Sequence, residues 1–393
     1  MKRYLFVLVL LGLSLVLSGC WDIKSLQDVN YFTGIGIDFR DNKYHVYVQQ
    51  LDFSNVAKSE GNSKSSTSTN IWVGHAEGVS ISEAVVELYQ TTQQTVFWGH
   101  LSSMVFTENL LKKGDLLAVF DALMRNPEIR YTPWVYGTKK DLQKIYTTTP
   151  FFSLSPLNSI LYSPETNYKQ RPIVVPLRFS QFVRGFRDPG NTVLLPSISI
   201  SDDTWAENKK ADPKLEVDGV FAMYNNELKG WTSHEKLLGL RWLERKSQAS
   251  RVVLRENGVN IASLKFTAPH PKIQISFNNG QPIFNIKVKV VAALNELLVP
   301  KTEQQLEKMA CEKISEEIRE TFQFGIQKQT DLLALEHTLY RKKYNRWNDM
   351  TASGSIPPSQ LQIGDVNVKV AIVQSGMFNL SRKMKLNTSS SSK

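Results

Sequence analysis

The first twenty residues constrain the chain more than any later segment, because they decide where it can fold. Basic residues after the initiator methionine precede an apolar run from Tyr4 to Leu17, and two small residues then lead to Cys20. This arrangement has the form of a secretory signal, and the cysteine indicates a signal that is cut for lipid attachment. We therefore predict that residues 1–19 are a lipoprotein signal peptide and that Cys20 carries the lipid.

Two other interpretations of this segment are an ordinary signal peptide and a membrane span that contains a cysteine. A membrane-spanning helix needs roughly 18 or more apolar residues, and the run from Tyr4 to Leu17 is shorter. After Cys20 no apolar run approaches that length. We expect the rest of the chain to be water-soluble and held to the membrane only through its N-terminus.

The charge balance is basic, with a formal net charge of +10 over 393 residues. Without Lys2 and Arg3, the chain has 45 basic and 37 acidic residues and a net charge of +8. Such a surplus suits an anionic membrane surface, where each nearby basic side chain contributes about 1 kcal/mol. Nucleic acid, the other common partner of basic chains, is not expected for an exported protein.

The chain has two cysteines, Cys20 and Cys311. If Cys20 is lipidated, Cys311 has no partner within the chain, and a disulfide framework is excluded. Burial of apolar side chains must then hold the fold. Cys311 falls on a predicted helix, where a small buried apolar side chain is favoured over a reactive thiol.

Alternating strand and helix patterns predict an α+β fold of three domains with mixed and antiparallel sheets. In the first domain, residues 20–200, strands alternate with helices such as Asp115 to Met124, which is typical of one mixed sheet with helices packed on it. Ser80 and Glu83 have the spacing of a capping box that starts a helix. The stretch from Lys58 to Thr69 lacks apolar residues and is predicted to be a mobile loop.

A polar stretch from Ser201 to Pro213 predicts the first domain boundary. We expect residues 213–268 to form a small middle domain whose strands make one sheet unit, with a helix after Ser233. The strands of this unit are predicted at 215–224, 227–231, 252–254 and 261–266. Pro269-His270-Pro271 resists helix and marks the next boundary.

The third predicted domain covers residues 270–385. Two alternating strands are followed by a capping box at Thr302 to Gln305 that opens the longest helix. Its apolar residues recur every four positions and predict a stripe facing the core: Leu306, Ala310, Ile314, Ile318 and Phe322. A second helix from Thr330 to Trp347, an alternating strand from Val366 to Ile372 and a Ser-rich tail from Leu386 complete the chain.

The sequence offers no catalytic, cofactor or metal site. It contains no HExxH, GxSxG, P-loop or paired-cysteine metal spacing. His75-Ala76-Glu77 matches the first half of the zinc deaminase signature, but the downstream cysteine pair is missing. His100 is favoured as a structural histidine over a general base. Gly34 and Gly36 resemble the start of a dinucleotide fingerprint without its third glycine, and more often mark a bulge or a close backbone approach.

A basic cluster, Arg341-Lys342-Lys343, lies between aromatic residues in the predicted second C-terminal helix. The favoured interpretation is a solvated helix face whose aromatic side chains turn inward. A contact with a membrane or a partner protein is the second interpretation.

These segments together resemble the Ger(x)C family of spore germination lipoproteins. The family shows a Gly-His-Leu strand start, an Arg-Asp-Pro-Glu-Ile-Arg turn and a Gly-Trp…Gly-Leu-x-Trp segment in this order. Here they correspond to Gly99-His100-Leu101, to Arg125-Asn126-Pro127-Glu128-Ile129-Arg130, and to Gly230-Trp231 with Gly239-Leu240-Arg241-Trp242. Asn126 replaces the usual Asp and keeps its turn chemistry. The start at Leu-Ser-Gly-Cys-Trp-Asp and the helix from Asp331 to Trp347 also match, so the resemblance covers nearly the whole mature chain.

The resemblance implies a C subunit of a nutrient germinant receptor, on the outer face of the inner spore membrane of a spore-forming Gram-positive bacterium. Its implied partners are two membrane-embedded subunits, an A-type and a B-type that resembles amino-acid transporters. It also implies a three-domain α+β fold and no established catalytic residues. The expected function is that of a lipid-anchored, non-enzymatic subunit. The alternatives are a lipid-anchored solute-binding protein that captures the germinant and, less favoured, a cell-envelope enzyme.

Overall fold

The structure, a computed structural model, describes residues 3, 29–51, 70–245, 247, 249–351 and 354–374. The predicted lipid site Cys20, nearly all of the signal peptide 1–19, the loop at 58–69 and the tail from Leu386 lie outside these residues. The predictions made for them therefore stay predictions.

The described residues form strands and helices in an α+β arrangement, the predicted fold class. The strands are β1 (Val29–Arg40), β2 (Lys43–Leu51), β3 (Ile71–Gly78), β4 (Thr95–Phe97), β5 (Ser103–Thr107), β6 (Trp134–Thr138), β7 (Leu177–Arg178), β8 (Thr192–Ser201), β9 (Ala206–Glu207), β10 (Lys210–Ala211), β11 (Lys214–Tyr224), β12 (Glu227–Ser233), β13 (Ser250–Glu256), β14 (Val259–Asn278), β15 (Gln281–Leu297) and β16 (Gln362–Gln374). The α-helices are α1 (Ile81–Tyr89), α2 (Glu108–Lys113), α3 (Leu116–Arg125), α4 (Leu142–Thr147), α5 (Pro164–Gln170), α6 (Phe179–Arg187), α7 (Glu303–Gln327), α8 (Leu335–Lys342) and α9 (Tyr344–Met350). Short 3-10 segments lie at Phe151–Ser153, Pro156–Asn158, His234–Trp242 and Pro358–Gln360.

The larger sheet has the strand order β12-β11-β8-β6-β5-β1-β2-β3, with β4 beside β1 and β7 beside β6. Its central strands β1, β5, β6 and β8 run parallel, because α2 and α3 carry the chain back between β5 and β6. The strands towards both edges pair antiparallel. Every residue of β5 and β6 is buried, as expected for strands covered on both faces.

The close approach expected at the two glycines of β1 is confirmed. The β1–β2 register shifts between Phe32 and Gly34. A Cβ atom at Gly34 would lie 2.6 Å from the ring of Tyr146, so only glycine fits beneath this ring.

The smaller sheet has the order β13-β14-β15-β16, antiparallel except for the parallel pair β15 and β16. Helix α7 packs against one face, and its predicted apolar stripe is buried in the core of this sheet. The capping box that starts α7 is also confirmed: the Gln305 N–H donates to Thr302 Oγ1 at 3.2 Å, and the Thr302 N–H donates to Gln305 Oε1 at 2.8 Å.

Residues 213–268 do not form a sheet of their own, so that prediction is wrong. β11 pairs with β8 along its whole length and extends the larger sheet together with β12, whereas β13 and β14 begin the smaller sheet. The expected helix after Ser233 is the 3-10 segment between the sheets. The division into three separately folding domains stays a prediction, with the boundaries at 200, 213, 268 and 270 given above.

The prolines at 269 and 271 were expected to separate two segments, but strand β14 continues through both of them. The register with β15 shifts between Thr267 and His270, and Ala268 has a positive φ of 49°. Irregular pairing of this kind is where a strand tolerates proline.

Two helical predictions also differ from the structure. The helix expected over Thr330 to Trp347 is two helices, α8 and α9, because Lys343 between them has a non-helical backbone, with a φ of −144° and a ψ of 52°. Helix α6 lies in the region 146–191 that was expected to be extended segments and loops. Its buried residues follow the helical spacing of i, i+3, i+4 and i+7: Phe179, Phe182, Val183 and Phe186.

Among the described residues, no helix combines the length and apolar character that crossing a bilayer requires.

Candidate functional site

Cys311, the second cysteine, lies half-buried on α7 beside β16. Burial raises the pKa of its thiol, although a hydrogen bond with the Val370 backbone opposes the shift. Because the thiolate is the reactive form, this environment favours the expected inert side chain.

The Gly-His-Leu start and the Arg125–Arg130 turn lie against each other. The Trp98 N–H donates to Glu128 Oε2 at 3.0 Å, which links the two segments. Asn126 Oδ1 accepts the Glu128 N–H at 3.0 Å, the turn chemistry expected of the residue that replaces Asp. The exposed ring of His100 packs edge-on to Tyr31, with 4.9 Å between ring centroids, which agrees with a structural role.

His75 and Glu77 lie in β3 next to β2. The His75 ring stacks on His45, and His75 Nε2 lies 3.2 Å from His45 Nδ1. Burial lowers the pKa of His75, and the charges of His45 and Arg40 lower it further. Among the described residues, no group of three or more His, Cys, Asp or Glu side chains has an arrangement that could hold a metal ion.

The 3-10 segment between the two sheets is fastened to α7 by a close backbone approach. A Cβ atom at Gly239 would lie 2.6 Å from the Glu317 carbonyl oxygen. The Gly239 N–H donates to Thr321 Oγ1 at 3.0 Å, and the Thr321 hydroxyl donates to the Lys236 carbonyl at 3.1 Å. Only a glycine allows the segment this close to the helix.

A buried ion pair follows directly in the same segment. Arg241 Nη2 lies 2.8 Å from both carboxylate oxygens of Glu317, and Trp242 Nε1 donates to Glu317 Oε2 at 2.7 Å. The ion-paired side chains are 8% and 2% exposed. The Gly-Leu-Arg-Trp sequence therefore attaches the 3-10 segment, which follows the last strand of the larger sheet, to helix α7 of the smaller sheet.

A second buried cluster surrounds Glu336 of α8, which is fully buried. Its carboxylate accepts hydrogen bonds from the Tyr224 hydroxyl at the end of β11, from Trp347 Nε1 at 3.0 Å and from the Ile356 N–H at 3.2 Å. This cluster also joins the two sheets, since Tyr224 belongs to the larger one. Trp347 thus turns inward, as expected for the aromatic residues near the basic cluster, whereas Tyr344 is 55% exposed and does not.

Asp331 lies beside this cluster and is 2% exposed. Its Oδ2 accepts the Glu336 N–H at 2.8 Å, and its Oδ1 has no hydrogen-bond partner among the described residues. Burial raises the pKa of Asp331 to about 7; the Glu336 charge adds to the shift, while backbone N–H groups oppose it.

Most charged and polar groups of the two clusters are paired with one another. Arg241 and Glu317 neutralise each other, and Glu336 is occupied by three donors. These groups can hold the two sheets in one relative position, which is the task of a structural junction. We name the two clusters together the junction: Arg241, Trp242 and Glu317, and Tyr224, Asp331, Glu336 and Trp347.

Sequence reasoning did not single out these acidic residues, although a signal was present. Glu317 stands within the buried stripe of α7, three residues after Ile314 and next to Ile318. Glu336 is flanked by the buried Leu335 and precedes the buried Leu339. A carboxylate on the apolar face of a helix predicts a buried partner.

The Arg341-Lys342-Lys343 cluster is exposed at the end of α8. Lys342 Nζ donates to the Ile273 carbonyl of β14 at 2.6 Å, so the cluster lies beside the smaller sheet.

A cavity of about 210 Å³ lies next to the larger sheet, between α5 and β11. Aromatic side chains and cations line it together, among them Tyr168, Trp205, Arg171 and Lys214. The Tyr168 hydroxyl is buried and has no hydrogen-bond partner among the described residues. The volume is below the range of about 300–1,000 Å³ usual for small-molecule sites, so a ligand here would have to be small.

Comparison with known proteins gives matches along both halves of the chain. The family model "Spore germination protein N-terminal domain" matches residues 22–200, and "Spore germination B3/ GerAC like, C-terminal" matches residues 218–376. Spore germination protein KC of Bacillus subtilis (strain 168) is 28% identical over 370 residues, which are 89% of this chain and 90% of that protein. Spore germination protein B3 of the same organism is 23% identical over 291 residues, 73% of this chain and 74% of that protein.

The crystal structure of the GerBC protein covers 90% of this chain and 100% of its own, with a TM-score of 0.55 and 17% sequence identity. This likeness supports the fold. The two family models identify the family, and the chain belongs to the Ger(x)C family of spore germination proteins.

Proposed function

We propose that this protein is the lipid-anchored C subunit of a nutrient germinant receptor. It has no enzymatic role and acts through protein contacts at the outer face of the inner spore membrane. Its partners are the A-type and B-type membrane subunits of the receptor.

The observation that carries this proposal is the match of the two family models over residues 22–200 and 218–376. The relatives that match along most of the chain are spore germination proteins by name.

Cys20 is the residue proposed to carry the lipid. A single acyl chain anchors proteins only marginally, whereas two or more chains anchor them stably. The diacylglyceryl group expected at a lipoprotein cysteine is therefore sufficient to hold the folded part at the membrane.

Replacement of Cys20 tests the anchor. In spores that carry Cys20→Ala, we expect the protein to leave the membrane fraction and nutrient-triggered germination to fall. Membrane fractionation with immunoblotting and a nutrient germination assay measure the two effects.

Cys311→Ala is the matched control, because it removes the other cysteine of the chain. This variant should keep both membrane retention and germination. Normal retention and normal germination in the Cys20→Ala spores would refute the anchor.

The cavity beside β11 favours one second candidate, a solute-binding protein that captures the germinant. Its cations and aromatic residues suit a small anionic or zwitterionic ligand. Titration calorimetry with candidate amino acids and sugars would support this function if it gave saturable heat that Trp205→Ala removes.

A further inference from the structure

Among the described residues, no other element packs on one face of the smaller sheet. On this face, β14, β15 and β16 carry exposed side chains at alternate positions, and four of these are lysines. The four residues, which we name the lysine face, are Lys272, Lys287, Lys289 and Lys369.

The strand register brings these lysines together. Lys272 of β14 is paired directly with Lys287 of β15, and Lys289 of β15 is paired directly with Lys369 of β16. Neighbouring strands lie about 4.8 Å apart, and residues two positions apart on one strand are separated by about 7 Å. The four ammonium groups therefore rise from a small area of a flat surface.

Within the part of the chain that the structure describes, no carboxylate is ion-paired with the lysine face. None of its four lysines forms an ion pair among the described residues, whose pairs all lie elsewhere. Of the acidic residues on these strands, Glu296 lies towards the far end of β15, and Asp365 lies two residues before Asn367, the partner of Lys287, without forming an ion pair with that lysine. Like charges directly opposite each other destabilise a sheet, so the arrangement favours a partner that brings negative charge.

Exposed aliphatic side chains adjoin the lysines on the same surface. Val291 is 39% and Val373 is 65% exposed. Val291 follows Lys289 at the next outward position of β15 and is paired with the exposed Ala371 of β16. Lysines next to a narrow aliphatic strip suit the boundary between lipid headgroups and acyl chains.

We propose that the lysine face docks on an anionic phospholipid bilayer. This inference rests on the proposed function, because the anchor at Cys20 is what brings the sheet to a membrane. Lysine is a point charge with a flexible stem and suits a fluid array of headgroups. Trp and Tyr side chains, which are enriched in protein-protein contacts, are missing from the described outward positions of the smaller sheet, and its outward arginines, Arg251 and Arg255, lie on the edge strand β13. An acidic protein is therefore the less suitable partner.

Vesicle co-sedimentation tests this proposal without the lipid anchor. The chain from residue 20 onward, with Cys20→Ser, keeps every contact described here, because the described fold begins at Val29. We expect it to sediment with vesicles of equimolar phosphatidylcholine and phosphatidylglycerol and to remain in solution with phosphatidylcholine alone. Binding should weaken as salt is raised, because salt screens exposed charges.

The variant K272Q/K287Q/K289Q/K369Q should bind the anionic vesicles about 100-fold more weakly, since each basic side chain near such a surface contributes severalfold. The matched control is K113Q/K140Q/K209Q/K210Q, which removes the same charge from exposed lysines of the larger sheet's side of the molecule and should bind nearly as the parent does. Thermal unfolding of both variants establishes that they are folded.

Equal losses of vesicle binding in the two quadruple variants would overturn the proposal, since only the net charge of the protein would then determine binding. Failure of the parent chain to bind anionic vesicles would overturn it as well and would direct attention to an acidic protein partner. Neither result bears on the proposed lipid anchor at Cys20, which the Cys20→Ala spores test separately by membrane retention.

Discussion

The two sheets differ in how many of their faces are covered. In the larger sheet, Met104 and Phe106 of β5 belong to one apolar cluster, and Val105 between them belongs to another on the opposite face. In the smaller sheet, Val288 and Val290 of β15 are buried against α7, whereas the alternate residues are exposed lysines. Central parallel strands flanked by helices are buried on both faces, and antiparallel sheets commonly leave one face to solvent.

This difference has a functional consequence. The larger sheet uses both faces for its own stability, which leaves its edges, its loops and cavities such as the one beside β11 for contacts. The smaller sheet needs only the face under α7 for stability, so its other face is free to carry charge. Between them, the junction is held by buried polar groups and not by apolar contact alone.

The largest loss of stability should come from a charge placed between β5 and the side chains that cover it. Val105 is fully buried, so Val105→Asp should lower the free energy of unfolding by about 5 kcal/mol or more. Lys289→Asp, at an outward position of the smaller sheet, should change it by no more than about 0.5 kcal/mol. Urea denaturation followed by circular dichroism measures both, and similar losses would mean that the lysine face is covered.

A somewhat smaller effect is expected at the junction. Glu317→Gln leaves the buried Arg241 guanidinium without its counter-charge, which typically costs about 3–5 kcal/mol. The neighbouring Glu316 forms an exposed pair with Lys313 at 2.6 Å, so Glu316→Gln should cost at most about 1 kcal/mol. If denaturation midpoints for the two variants coincided, the buried ion pair would not be what holds the 3-10 segment to α7.

The smallest of the three expected changes in stability depends on pH. The pKa of Asp331 is about 7 in the folded protein, above the value of about 3.9 for an unfolded Asp. The folded state therefore binds more protons between these values, and stability should fall as the pH rises from 4 to 7. Asp331→Asn should remove this slope and stabilise the protein at pH 8 by on the order of 2 kcal/mol.

The exposed Asp349 of α9 offers the control for this experiment. Asp349→Asn should leave the pH dependence of the urea midpoint unchanged. An unaltered slope in the Asp331→Asn variant would show that another group titrates in this range.

Local patterns predicted much of the fold. The capping box at Thr302, the four-residue repeat of α7 and the alternation in the C-terminal strands depend on neighbouring residues, and all three are confirmed. The apolar residues of α6 carried the same kind of signal, but Pro and polar residues around them masked it. The sequence predicts one helix where the structure has α8 and α9, because nothing in the local sequence marks the non-helical backbone of Lys343.

The sequence by itself determined the α+β class, the faces of most strands and helices, the family resemblance and the prediction of a lipid at Cys20. The fold class and the buried faces follow from composition and short-range periodicity, whereas the family resemblance and the lipid prediction rest on short motifs such as Gly99-His100-Leu101 and the residues before Cys20. Only the tertiary structure decided that β11 and β12 join the larger sheet, that Glu317 and Glu336 meet buried donors, and that four lysines share one open face. Strand partners and register arise from contacts between residues far apart in the chain, and periodicity within a single strand carries no information about which strand lies beside it.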